Sequence, residues 1–432
     1  MKQWKLELRR WAGRLGLCLT AAIAAPAFGG TLNVQFGVLD KSQRAAFTAF
    51  VDEFKAANPD VDVKLTLTDL AAYRTTLPAA LEGNEAPDVF NWFAGDQMRS
   101  FALGGQLDDV SDLWKANAWN NAFATTTNAA TVGGRQFALP FQYYTWGLFY
   151  RHDVLERVGL STAPKDFSGL LTACSKLSKA GFVPIALGAK DGWALAAWFD
   201  YLDLRTNGAQ LHAMLTDGQL SYLDPNVRRT FLLWRQLVDA KCFASDALAT
   251  DANGARRLLY AGHAGMVLAG TTFSATVPDA LKDIVDYARF PVIDPSQPMA
   301  EAAPTDTFHI AAHARNKADA RRFLKYAATS AANAKLARAM GSFPTNKFAP
   351  VQGTVLDLNT AKVLSDAKGG LVQAYDRDAP NEMAAAGMKG MQDFLAQPKQ
   401  VDTVLVRLDG IQKTAYHPVA EAAPAPAKSA KR

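Results

Sequence analysis

An alternation of strand and helix patterns near the start of the chain constrains its fold more than any other sequence feature. Residues 31–38 have the apolar pattern of a strand, and Asp40 can cap the helix that follows. Residues 61–67 then alternate apolar and polar side chains, as a half-buried strand does. A further helix and strand complete the series by residue 91. The alternation predicts an α/β fold, in which helices flank a mainly parallel sheet.

The length of the chain predicts two lobes. Its 432 residues exceed what one ordinary hydrophobic core organises, since domains average about 150 residues. Beyond residue 151 helical patterns dominate, and strand patterns return at 264–268, 287–292 and 308–312. We therefore expect a second α/β lobe, again built on a mainly parallel sheet but richer in helix than the first.

The ends of the chain differ in composition from its body. Five basic residues precede the apolar run 15–25, and Ala25-Pro26-Ala27 offers small residues at a cleavage site. This pattern predicts that residues 1–27 are a signal peptide and that the protein is exported to the periplasm. A membrane anchor is the alternative, but the run is shorter than the roughly 20 apolar residues that span a bilayer. Residues 421–432 have the Ala, Pro and Lys composition of a disordered tail.

The charge of the chain argues against nucleic acid as a partner. The formal net charge is +5, and the predicted leader carries five positive charges and one negative charge. Removing the leader therefore leaves a formal charge of +1. A protein that binds nucleic acid needs a concentrated basic face, which a nearly neutral body lacks.

Two cysteines, Cys174 and Cys242, lie outside the predicted leader. Both fall in the second predicted lobe, Cys174 on the apolar stripe of one helix and Cys242 just after the end of another. An oxidising compartment would permit a disulfide between them. The alternative is a buried free thiol at Cys174, because cysteine is often fully buried.

Several short runs occur in the order and spacing typical of one protein family. The sequence Ala-Pro-Asp-Val-Phe-Asn-Trp begins at Ala86, and Pro-Thr-Asp-Thr-Phe-His-Ile begins at Pro304. Further runs lie at residues 133–140, 148–155, 262–266 and 341–346. Together they resemble the carbohydrate-binding proteins of bacterial ABC importers, the extracellular solute-binding family that includes maltose-binding protein. The resemblance extends over nearly all of the chain beyond the predicted leader.

The resemblance implies a two-lobed periplasmic binding protein fold whose chain crosses between lobes three times. The lobes would comprise residues 31–143 with 307–342 and residues 146–304 with 345–420. It further implies a monomeric, non-enzymatic receptor that binds a mono- or oligosaccharide between the lobes and delivers it to the permease of an ABC transporter. The crossings at 141–145, 305–307 and 343–346 carry polar and aromatic side chains, as hinges that border a cleft should.

Aromatic residues are the first candidates for contact with a sugar. Sugars present apolar C–H faces and a rim of hydroxyls, so their sites need flat aromatic side chains. Trp92 follows a predicted strand directly, and Trp193 begins a predicted helix. Tyr143, Tyr144 and Trp146 form the densest aromatic cluster, on the first crossing. We predict these five as ligand contacts, with core packing as the alternative for Trp92 and for part of the cluster.

Polar candidates lie in loops that follow predicted strands. Gly270 and Thr271 match a loop that contributes ligand contacts in the resembling family; glycine permits close backbone approach and threonine supplies a hydroxyl. Asp306 and Thr307 occupy the second crossing, where a carboxylate can accept hydrogen bonds from two sugar hydroxyls. Asp96 is a weaker candidate of the same kind. An ordinary turn and a solvated loop are the alternatives.

The sequence contains none of the common catalytic fingerprints. Gly-x-Ser-x-Gly, His-Glu-x-x-His, P-loop and dinucleotide motifs are all absent, and we expect no metal site and no cofactor. Two other functions stay open. A glycoside hydrolase would place two carboxylates across a cleft from each other. A binding protein for a polyamine or a metal chelate is the other alternative.

Overall fold

Two mixed β-sheets organise the chain, one in each of two lobes. A computed structural model describes residues 30–83, 85–351 and 355–416. The predicted signal peptide, residues 1–27, and the predicted tail, residues 421–432, lie outside the described residues. Within the described ranges, no helix combines the length and the apolar composition that crossing a membrane requires. The predicted two-lobed α/β fold is confirmed, because each sheet carries helices and its own hydrophobic core.

The first stretch of the chain builds most of the first lobe. Its elements are β1 (Leu32–Val38), α1 (Lys41–Ala57), β2 (Val63–Asp69), α2 (Leu70–Glu82), β3 (Val89–Phe93), α3 (Asp96–Leu103), α4 (Ser111–Ala116), α5 (Trp119–Ala122), β4 (Thr131–Val132), β5 (Arg135–Gln136) and β6 (Leu139–Tyr143). Asp40 caps α1 as predicted, since its carboxylate accepts a hydrogen bond from the Gln43 amide at 3.0 Å.

The middle of the chain builds most of the second lobe. Its elements are β7 (Trp146–Arg151), α6 (His152–Glu156), α7 (Phe167–Lys179), β8 (Val183–Ala186), α8 (Trp193–Thr216), α9 (Pro225–Asp239), α10 (Ala252–Tyr260), β9 (Ala264–Gly270), β10 (Val285–Ala288) and β11 (Glu301–Ala302). In this stretch, residues in helices outnumber residues in strands.

The last stretch returns to the first lobe and then completes the second. Its elements are β12 (Thr305–Ile310), α11 (Lys317–Ala327), α12 (Ser330–Ala339), α13 (Val355–Ser365), β13 (Leu371–Val372), α14 (Tyr375–Asp378), α15 (Asn381–Ala396) and α16 (Val401–Ala415). Short 3-10 turns occur at Asn128–Ala130, Thr271–Thr276, Asp279–Leu281 and Pro398–Gln400.

Neither large sheet is purely parallel, which corrects the prediction of mainly parallel sheets. The first has the order β2-β1-β3-β12-β6, with β12 antiparallel to both neighbours. The second has the order β10-β7-β9-β8, with only β8 and β9 parallel. The reversed strands, β12 and β7, are those that enter a lobe directly from a crossing. Both strands run away from the hinge, whereas their neighbours β6 and β9 run towards it. Neighbouring strands are parallel only when a crossover, usually a helix, returns the chain to the same end of the sheet, and the short crossings do not do this.

Each lobe has an aromatic core. In the first lobe, Phe308 stacks on Phe141 with ring centroids 4.1 Å apart, and Phe47 of α1 packs against both rings. In the second lobe, Trp234 is fully buried and lies 5.3 Å from the Phe394 ring. Phe47 of α1 and Trp234 of α9 therefore lie in the cores of their lobes.

A buried hydroxyl anchors the first crossing between the lobes. Only two residues separate the end of β6 from the start of β7. The Tyr201 hydroxyl lies 3.1 Å from the Thr145 hydroxyl and donates to the Trp146 carbonyl at 2.7 Å. It also lies 3.0 Å from Glu301, whose carboxylate pairs with Arg205 at 2.8 Å. This network fixes the backbone where β7 leaves the hinge.

A disulfide bond joins Cys174 and Cys242, whose Cα atoms lie 5.0 Å apart. Cys174 is on α7 and Cys242 follows α9, and both side chains are fully buried. The bond therefore ties the end of α9 to the α7 side of the second sheet.

We expect thiol counting to find no free thiol in the exported protein under denaturing, non-reducing conditions, and two after reduction. The closed loop spans 68 positions, for which the chain-entropy model gives a stabilisation of roughly 4 kcal/mol. Reduction should therefore lower the melting temperature, and Cys174→Ser/Cys242→Ser should melt at the same lower temperature with or without reductant. Two free thiols before reduction would contradict the bond.

Candidate functional site

A cavity of about 120 Å³ lies between the two lobes. Its walls come from β1, α2, β3 and β6 of the first lobe and from α8, β9, α10 and α14 of the second. A water molecule needs about 10–15 Å³ of such space, so the cavity has room for on the order of ten waters. The ends of β3, β6 and β9 meet here, as ligand sites in α/β sheets do.

Aromatic rings form one wall of the cavity. Trp146 and Trp193 meet edge to face, with ring centroids 5.7 Å apart and planes at 66°. Tyr144 adds a third ring from the first crossing, and Phe93 adds a fourth from the end of β3. The structure thus brings together three of the five predicted aromatic contacts: Tyr144, Trp146 and Trp193.

Gly270 lets two of these rings approach the backbone of β9. A Cβ atom there would lie 3.0 Å from the Tyr144 ring and 3.4 Å from the Trp146 ring. The first distance is tighter than ordinary van der Waals contact, so a larger residue would displace Tyr144. Gly270, one of the residues predicted to contact a ligand, lines the cavity.

Three ion pairs border the cavity, and each joins one lobe to the other. In every pair the carboxylate and the arginine come from distant parts of the chain, and the side chains are only 11–26% exposed. The pairs are Asp306 with Arg377 at 2.7 Å, Asp376 with Arg74 at 3.0 Å, and Asp40 with Arg256 at 3.1 Å. The lobes are therefore closed on each other in this structure.

Arg377 contacts three other side chains of the cavity wall: Asp306, Tyr144 and Phe93. Its guanidinium lies 4.1 Å from the centroid of the Phe93 ring and donates to the Tyr144 hydroxyl at 2.6 Å. Burial raises the pKa of Asp306, and the adjacent Arg377 charge opposes that rise. Asp306 also accepts a hydrogen bond from the Gln142 amide, so its carboxylate is fixed in place.

Amide side chains at the ends of β3 and β6 are also fixed by hydrogen bonds. Asn91 accepts from the Gly37 amide at 2.8 Å and donates to the Gly37 carbonyl at 3.1 Å. Gln142 donates to Asp306 and accepts from the Ser342 hydroxyl at 2.8 Å. These pairings hold a polar edge in the cavity wall before any ligand arrives.

A fully buried charge network begins at Asp200 in the second-lobe wall and extends behind it. Asp200 accepts from the Tyr375 amide, which begins α14, and lies 3.4 Å from His212. His212 in turn contacts Asp203 at 2.9 Å. Burial alone would lower the pKa of His212, but the Asp203 hydrogen bond and the two carboxylates raise it. The network supports α14, which carries Arg377 into the cavity.

Trp92 does not line the cavity, which corrects its prediction as a ligand contact. Successive side chains of a strand point to opposite faces, so Asn91 and Phe93 face the cavity and Trp92 faces away. Its ring packs 5.8 Å from Tyr73 and 5.4 Å from Phe101, and it is 4% exposed. The position of Trp92 at the end of a strand pattern did not reveal which face of the sheet its side chain points to.

Thr271 and Thr307 also lie outside the cavity wall. The Thr271 amide donates to the Thr145 carbonyl at 2.8 Å, and Thr271 is 2% exposed. The neighbouring Thr272 lines the cavity instead. Thr307 is fully buried and donates to the Trp92 carbonyl at 3.1 Å. Asp306 and Thr307 are successive residues of β12, so their side chains point to opposite faces and only the aspartate faces the cavity.

Tyr143 and Asp96 are likewise absent from the described wall of the cavity. Tyr143 pairs with Phe343, and their ring centroids lie 5.9 Å apart. Asp96 begins α3 and pairs with Arg99 at 3.2 Å. Both residues sit near the lobe boundary but outside the enclosed space.

Sequence reasoning missed the arginines of the site. Arg74, Arg256 and Arg377 lie on helices, where a charged side chain usually marks a solvated face. No local pattern distinguishes them from other surface arginines. Asn91, by contrast, lies within the run that begins at Ala86, and Gln142 follows the run at residues 133–140. These positions were a signal from which both residues could have been predicted as part of the site.

The described residues contain no group of three or more His, Cys, Asp or Glu side chains that could hold a metal ion. The carboxylates that line the cavity are instead bonded to arginines, to a backbone amide or to His212.

Comparison with known proteins gives relatives of one kind. An uncharacterised ABC-transporter extracellular-binding protein of Pyrococcus horikoshii is 22% identical over 314 residues, covering 71% of this chain and 70% of the relative. The bacterial solute receptor AcbH, described as having an exclusive preference for β-D-galactopyranose, superposes with a TM-score of 0.83 at 25% identity. The match covers 90% of this chain and all of that one. A chitin oligosaccharide binding protein has the same fold, with a TM-score of 0.81, 22% identity, and coverage of 89% and 98%.

A family model gives the same result at the level of sequence. The model for the bacterial extracellular solute-binding proteins matches residues 40–334, which include β3, the first crossing, α8, β9 and β12. The chain belongs to the bacterial extracellular solute-binding protein family.

Proposed function

We propose that the protein is the carbohydrate receptor of an ABC importer and that a mono- or oligosaccharide binds in the cavity between the lobes. The observation that carries the proposal is the combination of Trp146, Trp193 and Tyr144 rings with a fixed polar edge in one enclosed space. Aromatic faces suit the apolar faces of a sugar, and fixed polar groups suit its hydroxyls.

The size of the cavity supports a small ligand. Space for on the order of ten waters corresponds roughly to the non-hydrogen atoms of one hexose. The likeness to a receptor for β-D-galactopyranose adds support, although it names a sugar for that protein and not for this one. Tyr144, Trp146, Trp193, Gly270 and Asp306 are the ligand contacts that we propose from the original candidates.

The mechanism that we propose is closure without chemistry. The sugar would bind between lobes made of residues 31–143 with 307–342 and of residues 146–304 with 345–420. The ligand would favour the closed form, because it makes more contacts there than in the open form. The closed form would present a surface that a membrane permease recognises. The receptor would act as a monomer in the periplasm, after export through a cleaved leader.

A glycoside hydrolase is the main alternative, and the positions of the carboxylates argue against it. Hydrolysis needs one carboxylic acid and one free carboxylate on opposite sides of the scissile bond. Asp306 and Asp376 are each bonded to an arginine, and Asp200, which is 1% exposed, accepts a hydrogen bond from the Tyr375 amide and lies 3.4 Å from His212. The described residues of the wall therefore offer no free pair for acid–base chemistry.

The proposal predicts that at least one saccharide raises the melting temperature of the mature protein and changes its tryptophan fluorescence without being consumed. A ligand at 100 times its dissociation constant stabilises the folded state by about 2.7 kcal/mol. The assay is a thermal shift across neutral mono-, di- and trisaccharides, followed by chromatography of the sugar after several hours. Loss of the sugar would instead support the hydrolase, and no shift with any saccharide would contradict the proposal.

A further inference from the structure

The charges around the cavity cancel only when the lobes are closed. Among the described residues, three arginines line the cavity, and each is bonded to an aspartate of the opposite lobe. The lobes contribute both signs, because the first supplies Asp40, Asp306 and Arg74. Separation of the lobes would leave six charged groups facing solvent, and closure brings them together as three pairs.

Asp200 adds a further carboxylate to the cavity wall, and it belongs to a buried network with His212 and Asp203. Asp200 lies 3.4 Å from His212, and His212 lies 2.9 Å from Asp203. Among the described residues, no lysine lines the cavity. In the closed cavity, every arginine of the described wall is therefore paired with an aspartate, and every aspartate of that wall has a partner.

A charged ligand would disturb this balance. A carboxylate in the cavity would meet Asp306 and Asp376 at short range, and each arginine there already has its charge offset by an aspartate. Burying an ion without a partner, or removing one partner of a buried pair, costs several kcal/mol. An uncharged hydroxyl brings no charge into the cavity and so avoids that cost. It can bind a free N–H group of a guanidinium or a free lone pair of a carboxylate while the ion pair stays intact.

We propose that the three interlobe ion pairs make the receptor selective for uncharged saccharides, so that closure rejects uronic acids and protonated amino sugars. This inference rests on the proposed function, since it specifies the sugar that the same cavity takes. The ion pairs act as specificity determinants because they must form for the lobes to close.

The test compares sugars that differ only in charge. Isothermal titration calorimetry of the mature protein would use D-galactose, D-galacturonate and D-galactosamine, and the corresponding glucose series. Slightly acidic buffer keeps the carboxylate ionised and the amine protonated. We expect at least one neutral sugar to bind, and its two charged analogues to bind at least about 100-fold more weakly. A uronate or amino sugar that binds as tightly as its neutral parent overturns the inference.

Two variants test whether the ion pairs cause the selectivity. Asp306→Asn leaves Arg377 without a carboxylate partner in the closed cavity. We expect the affinity for the uronate, relative to that for the neutral sugar, to rise at least about tenfold. Asp40→Asn does the same for Arg256 and retains the α1 cap, because asparagine caps helices as well as aspartate does. If one variant folds poorly, the other carries the test. An unchanged ratio of uronate affinity to neutral-sugar affinity in every variant that folds overturns the inference.

The outcomes separate the inference from the proposed function. Binding of charged sugars alone would overturn the inference and leave the carbohydrate receptor standing. Binding of no saccharide in any series would overturn the proposed function, and the inference with it.

Discussion

The Arg377→Met variant is expected to bind its saccharide about 2–5 kcal/mol more weakly, which is roughly a 30-fold loss or more. Methionine keeps an apolar stem over Phe93 but removes the charge that pairs with Asp306. The Asp306 carboxylate would then be enclosed on closure with only the Gln142 amide as a partner. The loss should fall on the closed, liganded form, because Arg377 and Asp306 belong to different lobes.

Arg228→Met is the matched control. Arg228 also binds a carboxylate through two hydrogen bonds, but its pair with Asp402 is on the surface, with side chains 45% and 71% exposed. Exposed pairs contribute about 0–1 kcal/mol, so this variant should bind sugar normally. A double-mutant cycle with Asp306→Asn measures the coupling between Arg377 and Asp306. Equal affinities for Arg377→Met and Arg228→Met would show that Arg377 has no role in closure.

Trp234→Ala should lower the free energy of unfolding by about 3–5 kcal/mol, as truncation of a large core side chain does. Trp234 is fully buried, and its ring packs on Phe231 and Phe394, away from the cavity wall. Saccharide affinity measured well below the melting temperature should stay within about twofold of the parent protein, since none of the described ligand contacts moves. Denaturant unfolding and calorimetry of the same samples give the two quantities.

Trp193→Ala is the companion variant with the opposite expectation. Trp193 is half-buried and lines the cavity, so its loss should weaken binding by about 1–3 kcal/mol and destabilise the protein less than Trp234→Ala does. If Trp234→Ala abolished binding without changing stability, the assignment of the site to this cavity would be wrong.

Strand-end positions in the sequence located the region of the site but not every residue of it. Tyr144, Trp146 and Asp306, which the sequence predicted as ligand contacts, line the cavity. Trp92 and Thr307 lie beside residues that line it, yet their side chains point into the first lobe. A strand reverses its side-chain direction at every residue, so an error of one position moves a residue from the ligand to the core. Local patterns do not fix that register.

The sequence by itself determined the α/β class, the two lobes, the cap of α1 and the family resemblance. These depend on chain length, on local periodicity or on short runs of residues. Only the tertiary structure decided the mixed direction of the sheets and the ion pairs of the cavity. Arg377 lies 71 positions from Asp306, Arg256 lies 216 from Asp40, and Arg74 lies 302 from Asp376. Such partners meet only because the chain crosses between the lobes and the lobes close, and periodicity carries no information about contacts at that separation.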